Sequence, residues 1–253
     1  MSLVVVTGGT GTLGRRVVER LVAADRPVRV VGRRPNPGGV PAGVEFVRAD
    51  LRRRTDADVA VAGAAVVVHC ATTYGPRDVE LTRNVVAAAR SAGRPHIVDV
   101  SIVGIDRIPI FYYRAKLEAE RLLESSGLPW TVQRATQFHD LVARLLDLQR
   151  RSPVIVVPAG VRVQPVDVRD VATRLACLAD GEPAGRVADI GGPEVHELRE
   201  LAVLYQRVLG GRRPVVPIRF PGAAMRAFRG GANLVPGAAM AGTTFKSYLT
   251  ERE

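Results

Sequence analysis

A glycine-rich segment near the start of the chain, TGGTGTLG at residues 7–14, constrains the fold more than any other feature of the sequence. It lies between an apolar run at 3–8, which is typical of a buried strand, and a predicted helix over 12–24. Its glycines satisfy the GxGxxG spacing, and the flanking strand and helix supply the context which that pattern requires. Because glycines permit a tight turn and backbone N–H groups at a helix N-terminus attract anions, we expect a pyrophosphate to bind here.

Apolar runs and helical stretches alternate through the first half of the chain. Further strands are predicted at 28–32, 44–50, 64–72, 96–101 and 129–135, with another helix at 78–93. Continuous apolar strands that are separated by helices indicate a parallel sheet covered on both faces. Right-handed crossovers then predict an α/β fold, a Rossmann-type doubly wound parallel sheet.

The alternation becomes less regular beyond residue 136. Helices are predicted at 138–150, 167–179 and 196–210, with strand-like pieces in VIVVP, VRVQPV and RVADIGG. No stretch is long enough to be a linker, so we expect one domain over 1–253, with a small C-terminal substrate-binding lobe formed mainly by 137–166 and 191–253. The segment 221–242, rich in Gly, Ala, Pro and Met, is either an apolar lid over a pocket or a loosely packed terminus.

The composition argues against a nucleic-acid partner. Hydrophobic residues make up 47% of the chain and charged residues 24%, which is typical of a globular protein with an ample core. The net charge of +11 suggests nucleic acid at first. However, the arginines are dispersed, the longest basic run is RRR at 52–54, and no aromatic residues are interleaved with them. We therefore expect no specific nucleic-acid partner.

The sequence also predicts neither a membrane segment nor a metal site. The longest apolar run, 59–68, is shorter than the roughly 20 residues that span a bilayer. No basic leader precedes the first strand, so we expect a cytoplasmic protein. The four histidines show no spacing of metal ligands. Cys70 lies in the apolar run VVVHCA, which indicates a small buried thiol.

The residues after the second predicted strand indicate which dinucleotide binds. Sites that prefer NAD generally place an Asp or Glu there, which accepts hydrogen bonds from the adenosine ribose. This chain has Arg33 and Arg34 in VVGRRP, and no acid. Because guanidinium groups bind a 2′-phosphate, we expect NADP(H) to be preferred over NAD. The alternative is that both arginines are ordinary surface residues of an arginine-rich protein.

With these residues in view, the chain resembles the short-chain dehydrogenase/reductase superfamily, specifically its atypical NmrA-like branch. TGGTGTLG matches the nucleotide turn, AD followed by Leu51 matches the segment beside the adenine, and HCAT at 69–72 matches the strand end that passes the cofactor ribose. VSIVGID followed by YYRAK is similar to the Ser…Tyr-xxx-Lys catalytic region. RATQFHD and IGGPE resemble signatures on the substrate side, and the likeness covers most of the chain.

The resemblance implies a role for each matching residue. Tyr112 would be the general acid, Lys116 its electrostatic helper and a ribose ligand, and Ser101 the hydroxyl that orients a carbonyl. Gln137 and His139 follow the sixth strand, where the substrate pocket should open. The implied cofactor contacts are Thr7, Gly8, Gly9, Thr10, Gly11, Thr12, Leu13, Gly14, Arg33, Arg34, Asp50, Leu51, Cys70, Ala71, Thr72 and Lys116.

The chemistry of the Tyr-xxx-Lys pair also follows from the residues themselves. A free tyrosine has a pKa of about 10, and a nearby ammonium group lowers it. Residues four apart share one face of a helix, so Tyr112 and Lys116 can point into one cleft. The alternative is that Lys116, one of only two lysines in the chain, pairs with Glu120 on a solvent face.

We therefore expect an NADPH-dependent oxidoreductase that reduces a small carbonyl or enone substrate, in a setting such as specialised metabolism. One alternative is a non-catalytic NADP(H)-binding redox sensor with a protein partner. Another is a non-redox cyclase or isomerase that retains the nucleotide as structure. The sequence is compatible with either a monomer or a homodimer.

Overall fold

The computed structural model describes residues 2–34, 40–235, 237 and 242–252. In chain order, these residues form β1 (Val4–Thr7), α1 (Thr12–Ala23), β2 (Val28–Gly32), β3 (Glu45–Arg48), α2 (Arg54–Val61), β4 (Val66–His69), α3 (Arg77–Ser91), β5 (His96–Ile102), α4 (Phe111–Glu124), β6 (Trp130–Ala135), α5 (His139–Asp147), β7 (Ile155–Pro158), β8 (Arg162–Val163), α6 (Val168–Asp180), β9 (Gly185–Arg186), β10 (His196–Glu197), α7 (Leu198–Val208), β11 (Val215–Ile218), α8 (Ala223–Arg229) and α9 (Phe245–Arg252).

The central sheet has seven parallel strands in the order β3, β2, β1, β4, β5, β6, β9. The chain order reverses between β1 and β4, and doubly wound sheets bind ligands beyond the carboxyl ends of their strands at such a point. Thr7 lies opposite Val31 on one side and His69 on the other, so β1, β2 and β4 end at the same level. The predicted α/β class, a Rossmann-type doubly wound parallel sheet, is confirmed.

One helix of the first half, α2, was not predicted from the sequence. The apolar run 59–68 contains the end of this helix, a turn at Gly63 with φ of +70°, and the start of β4. The buried residues of α2 are Ala57, Ala60 and Val61, a spacing of three and four that marks a helical face. Because α2 has only eight residues, the strand that follows it hides this short pattern in one apolar run.

The described residues divide into two compact units. The first comprises residues within 1–101, 111–134 and 171–188, which include the seven-stranded sheet except for the last residue of β5 and the last residue of β6. The second comprises residues within 102–110, 135–170 and 189–253.

In the first unit, helices cover both faces of the sheet. On one face, Val5, Val67 and Ile97 pack in a single cluster with apolar side chains of α2, α3 and α4. Successive strand residues point to opposite faces, so Val4 and Val6, both fully buried, lie on the other face. Continuous apolar strands are therefore required here, because both of their faces are buried.

In the second unit, a smaller core surrounds β7. This strand pairs in parallel with β11, and β8 pairs antiparallel with β10. Side chains from α5, α7 and α9 pack on β7, among them Val142, Leu201 and Phe245. Within the segment 221–242 the structure contains α8, whereas 236 and 238–241, to which the lid prediction also applied, lie outside the described residues.

Two general features of the described residues bear on function. None of their helices combines the length and the apolar character needed to cross a membrane. No group of three or more His, Cys, Asp or Glu side chains within the same residues is arranged to hold a metal ion.

Candidate functional site

The predicted phosphate-binding turn joins β1 to α1, and its backbone is packed too closely for any side chain at two positions. Gly8 has φ of +64°, and a Cβ there would lie 2.8 Å from the backbone of Ala71. A Cβ on Gly14 would overlap the carbonyl oxygen of Gly8. The amide of Gly11 donates to that same carbonyl over 2.9 Å, which closes the turn. Only glycine satisfies both constraints.

The N-terminus of α1 is free to receive an anion. Gly11 is the N-cap residue, no side chain of the described residues caps the helix, and its first turn carries no acidic residue. Thr12 is exposed beside these amides, whereas the side chain of Leu13 is buried in the core. Unpaired backbone N–H groups and the helix dipole together suit a pyrophosphate, so the turn fits the dinucleotide that the sequence predicts.

Thr7 connects the turn to β4 rather than facing solvent. Its hydroxyl lies 2.7 Å from Nδ1 of His69, and it accepts a hydrogen bond from the Ala71 amide at 3.4 Å. Thr82 on α3 lies 3.4 Å from the other ring nitrogen of His69. Burial lowers the pKa of His69 to about 3, so this imidazole is neutral and structural at physiological pH.

The segments that follow β2 and β3, where the adenosine of the cofactor is predicted to bind, carry two arginines and one aspartate that is paired with an arginine. Arg33 and Arg34 directly follow β2 and are exposed. Asp50 follows β3, and Arg52 donates to it through Nε over 2.9 Å, which lowers the pKa of Asp50 to about 2. Its neighbour Leu51 is buried.

Asn84 on α3 supports this region. Its side-chain amide donates to the backbone carbonyl of Leu51 over 2.9 Å. The contact ties the segment after β3 to the helix that follows β4, so Asn84 acts here on the backbone of the adenosine-side loop.

The conformation of the segment after β4 depends on an acidic residue that no sequence motif indicated. Asp78, buried in the first turn of α3, accepts hydrogen bonds from the Thr72 hydroxyl and from both the amide and the hydroxyl of Thr73, each over 2.6 Å. An Asp in a first helical turn just after two threonines was the available signal. Tyr74 follows at φ of +55°, an uncommon conformation for an aromatic residue, and its amide donates to Thr72.

Cys70 and Ala71 lie in the same segment. The Cys70 amide donates to the Thr7 carbonyl over 3.1 Å. Burial, together with the Asp99 carboxylate, raises the pKa of the Cys70 thiol to about 12, so the thiol stays protonated and unreactive.

Tyr112 lies in the first turn of α4 and faces the Thr72 segment. Its phenol oxygen is 3.3 Å from the Thr72 hydroxyl. Because the single proton of Thr72 goes to Asp78, the phenol is the donor in this contact. Burial raises the pKa of Tyr112, although Lys116 acts in the opposite direction, so the phenol holds its proton at neutral pH. The Tyr74 ring, 72% exposed, lies 6.0 Å from the Tyr112 ring.

Lys116, one helical turn after Tyr112, points into the protein. Its Nζ lies 3.6 Å from Oδ2 of Asp99 on β5, and only 7% and 4% of the two side chains are exposed. Burial disfavours the ammonium form, but the Asp99 carboxylate and other nearby groups outweigh it and raise the pKa of Lys116. The alternative that Lys116 pairs with Glu120 on a solvent face is wrong, since Glu120 is itself buried and forms a salt bridge with Arg134.

Ser101 on β5 is close to this group in the chain, but its hydroxyl is engaged elsewhere. It donates to Oε2 of Glu120 over 2.7 Å, and the residue is 3% exposed. The Ser101 hydroxyl would have to rotate away from a buried carboxylate in order to orient a substrate carbonyl. Its predicted role therefore stays a prediction.

The two predicted substrate residues belong to the second unit. Gln137 accepts a hydrogen bond from the Asn233 side chain over 3.4 Å. His139 is 1% exposed, donates from Nε2 to the Thr243 carbonyl over 2.8 Å, and lies against the rings of Phe245 and Tyr248. Burial lowers the pKa of His139, so its ring is a neutral part of the core.

The first unit thus brings the glycine turn, Thr72, Tyr112 and Lys116 together at the carboxyl side of one sheet. Each of these groups follows the end of β1, β4 or β5, which is where ligands of doubly wound sheets bind. The arrangement offers an anion site, a protonated phenol and a buried ammonium group. These are the elements needed to hold a dinucleotide and to deliver a proton.

Comparison with known proteins agrees with this geometry. A family described as NAD(P)H-binding matches residues 8–176. A (4-alkanoyl-5-oxo-2,5-dihydrofuran-3-yl)methyl phosphate reductase of Streptomyces griseus is 34% identical over 223 residues, covering 86% of this chain and 76% of that protein.

Two solved structures share the fold. An NADPH-dependent quinone oxidoreductase from Escherichia coli in complex with NADPH has a TM-score of 0.84 and 19% identity, over 98% of this chain and 99% of that one. The triphenylmethane reductase of a Citrobacter species in complex with NADP(H) has a TM-score of 0.81 and 22% identity, over 100% and 99%. The resemblance that the sequence predicts agrees with the family match, and the chain belongs to the NAD(P)H-binding family.

Proposed function

We propose that the protein is an NADPH-dependent reductase of a small conjugated carbonyl compound, an enone or a related ketone. The observation that carries this proposal is the position of Tyr112, whose protonated phenol lies 3.3 Å from the Thr72 hydroxyl and one helical turn before the buried Lys116. The Streptomyces griseus relative supports the substrate class, since its name describes the reduction of an oxo-dihydrofuran. The substrate lobe at 137–166 and 191–253 remains part of this proposal.

The chain's own residues suit the cofactor at two places. The uncapped N-terminus of α1 and the close-packed turn at Gly8 would receive the pyrophosphate. Arg33 and Arg34 would contact the 2′-phosphate, because guanidinium groups donate several hydrogen bonds to such an anion. When bound, NADPH supplies a hydride to carbon of the substrate.

The protein supplies the proton. Addition of a hydride to an enone or a ketone leaves negative charge on oxygen or on the conjugated carbon. The Tyr112 phenol donates its proton to that atom, and the Lys116 ammonium stabilises the phenolate that remains. The balance is one hydride and one proton added to the substrate, with NADPH oxidised to NADP⁺ and Tyr112 reprotonated from solvent. Before the substrate binds, Thr72 accepts a hydrogen bond from this same proton and so positions the phenol, and that hydrogen bond breaks when the proton turns to the substrate.

Replacing the phenol tests the proposal directly. Tyr112→Phe should lower turnover of a responsive enone or quinone by about 10²- to 10⁴-fold, the usual contribution of a general acid. NADPH should still raise the melting temperature of the variant, because the turn that binds it is unchanged. Tyr113→Phe is the matched control, since it removes the neighbouring hydroxyl on the same helix and should leave turnover within about twofold. Full activity in Tyr112→Phe would contradict the proposed acid.

The same assay separates the alternative functions. A panel of enones, quinones and ketones should oxidise NADPH in a protein-dependent manner. NADPH binding without consumption across the panel would favour a redox sensor, and product formed without NADPH oxidation would favour a non-redox enzyme.

Cofactor preference has its own test. The double variant Arg33→Ser/Arg34→Ser should weaken NADPH binding at least tenfold while changing NADH binding little, because only NADPH carries the extra phosphate. Arg121→Ser, an exposed arginine on α4, is the control. Equal Kd values for NADPH and NADH in the unmodified protein would contradict the preference.

A further inference from the structure

Asp99 carries a buried charge next to the proposed proton-transfer pair, and the mechanism above assigns it no role. Its Oδ2 lies 3.6 Å from Nζ of Lys116, with both side chains almost fully buried. Its other oxygen, Oδ1, is buried without a hydrogen-bond partner among the described residues. Buried carboxylates usually satisfy both oxygens, and an exception of this kind calls for an explanation.

A lysine at such a site needs a counter-charge. Removing an ammonium group from water without a partner favours its neutral form, and fully buried lysines can titrate several pH units below their ordinary value. A neutral Lys116 could not stabilise a phenolate on Tyr112. A nearby negative charge must therefore offset the cost of burying the ammonium group. Asp99 on β5 lies at ion-pair distance from it.

The other titratable groups around the pair do not replace Asp99. The groups that act electrostatically on Lys116 or Asp99 are Tyr112 and Glu120 on α4, Asp78 on α3, and His69 and Cys70 at the end of β4. Glu120 forms a salt bridge with Arg134, and Asp78 accepts three hydrogen bonds from Thr72 and Thr73. His69 is neutral and Cys70 protonated at physiological pH. Among the residues that the structure describes, this leaves Asp99 as the carboxylate in direct ion-pair contact with Lys116.

We propose that Asp99 is the positioning residue that keeps Lys116 charged and fixed beside Tyr112. Its importance for turnover rests on the proposed reductase function, whereas its effect on the charge of Lys116 does not. Asp99 touches neither substrate nor cofactor in this role and acts only through the lysine. Because Oδ1 accepts no hydrogen bond from the described residues, no donor at that atom offsets the negative charge that stabilises the ammonium group.

The composition of the chain allows a direct measurement, because Lys116 and Lys246 are its only lysines. Protein labelled with carbon-13 at lysine Cε gives two lysine signals by NMR, and Lys246→Arg identifies the one that belongs to Lys116. In the unmodified protein the Lys116 signal should titrate above the ordinary lysine pKa of 10.5. In Asp99→Asn the midpoint should fall by at least about one pH unit, since the main counter-charge is gone.

Two outcomes would overturn the proposal. One is a Lys116 midpoint in Asp99→Asn equal to that of the unmodified protein. The other is the lack of any response of the Lys116 signal to the ionisation of Asp99. This second test uses the unmodified protein, so it can be made even if Asp99→Asn does not fold. Burial raises the pKa of Asp99 to about 6, so the Lys116 signal should show a second inflection near that pH while the exposed Lys246 signal does not. A featureless Lys116 signal there would show that the two groups are not coupled.

A turnover assay separates this inference from the proposed function. If the protein is a reductase, Asp99→Asn should lower kcat about tenfold or more and move the alkaline limb of the pH profile to lower pH, because Lys116 then loses its proton earlier. If no turnover is found with any substrate, the NMR titration still decides whether Asp99 holds the charge of Lys116.

Discussion

The hydroxyl of Ser101 donates to the carboxylate of Glu120 over 2.7 Å, and Glu120 in turn forms a buried salt bridge with Arg134. A serine at the end of the fifth strand is thereby tied to the core of the first unit. The phenol of Tyr112, in contrast, contacts the hydroxyl of Thr72, in the segment after β4. The Ser101 hydroxyl therefore contributes to the stability of the fold, whereas the Thr72 hydroxyl contributes to the position of Tyr112, and mutation can separate these two roles.

Removing each hydroxyl should affect different properties. Ser101→Ala should lower the free energy of unfolding by about 2 kcal/mol, because a buried carboxylate loses a donor, and it should change kcat little. Thr72→Val should lower kcat by about tenfold, since the phenol loses the group that fixes its orientation. Urea denaturation and steady-state kinetics on both variants check this. A larger loss of kcat in Ser101→Ala would return the carbonyl-orienting role to Ser101.

The buried ion pair between Arg134 and Glu120 should matter more for stability than any exposed pair. Arg134→Met should lower the free energy of unfolding by about 3–5 kcal/mol, because Glu120 is left buried without its cation. Arg16→Met is the control: Arg16 pairs with Glu19 on the exposed face of α1, where such a change costs less than about 1 kcal/mol. Chemical denaturation measures both, and similar losses in the two variants would contradict the burial argument.

The glycine turn should tolerate no added methyl group. Gly8→Ala should destabilise the protein and weaken NADPH binding at least tenfold, because the new Cβ would lie 2.8 Å from the Ala71 backbone at φ of +64°. Gly63→Ala is a matched control, with φ of +70° and, in the described part of the chain, no atom within 4 Å of a Cβ. It should cost about 1 kcal/mol of stability through backbone conformation alone and leave the Kd for NADPH unchanged. Unaltered NADPH binding in Gly8→Ala would remove the turn from the site.

Stability in mild acid should depend on His69. Burial lowers the pKa of His69 from 6.5 to about 3 in the folded protein, so between these values the unfolded chain binds a proton that the folded one does not. The free energy of unfolding should therefore fall as the pH drops below about 6.5, by up to about 1.4 kcal/mol per pH unit from this group. In His69→Gln that slope should be shallower. Denaturation between pH 7 and pH 4 compares the two proteins, and identical slopes would contradict a neutral buried His69.

Much of the first unit follows from local sequence. The apolar runs of β1, β2, β4, β5 and β6 are predicted correctly because strands buried on both faces need continuous apolar residues. The turn at 7–14 is predicted for a similar reason, since only glycine fits a backbone this close to Ala71. The exception is α2, because an eight-residue helix and the next strand share one apolar run.

The partners of the polar residues were decided only by the tertiary structure. The sequence by itself determined the fold class, the glycine turn and the spacing of Tyr112 and Lys116, because these depend on neighbours within a few residues. It did not determine that Lys116 contacts Asp99, that Glu120 contacts Ser101 and Arg134, or that Asp78 shapes the loop beside Tyr112. Those contacts join side chains on different strands and helices. Which of several nearby acids pairs with a buried cation depends on how the sheet and its helices pack, and a linear pattern does not carry that information.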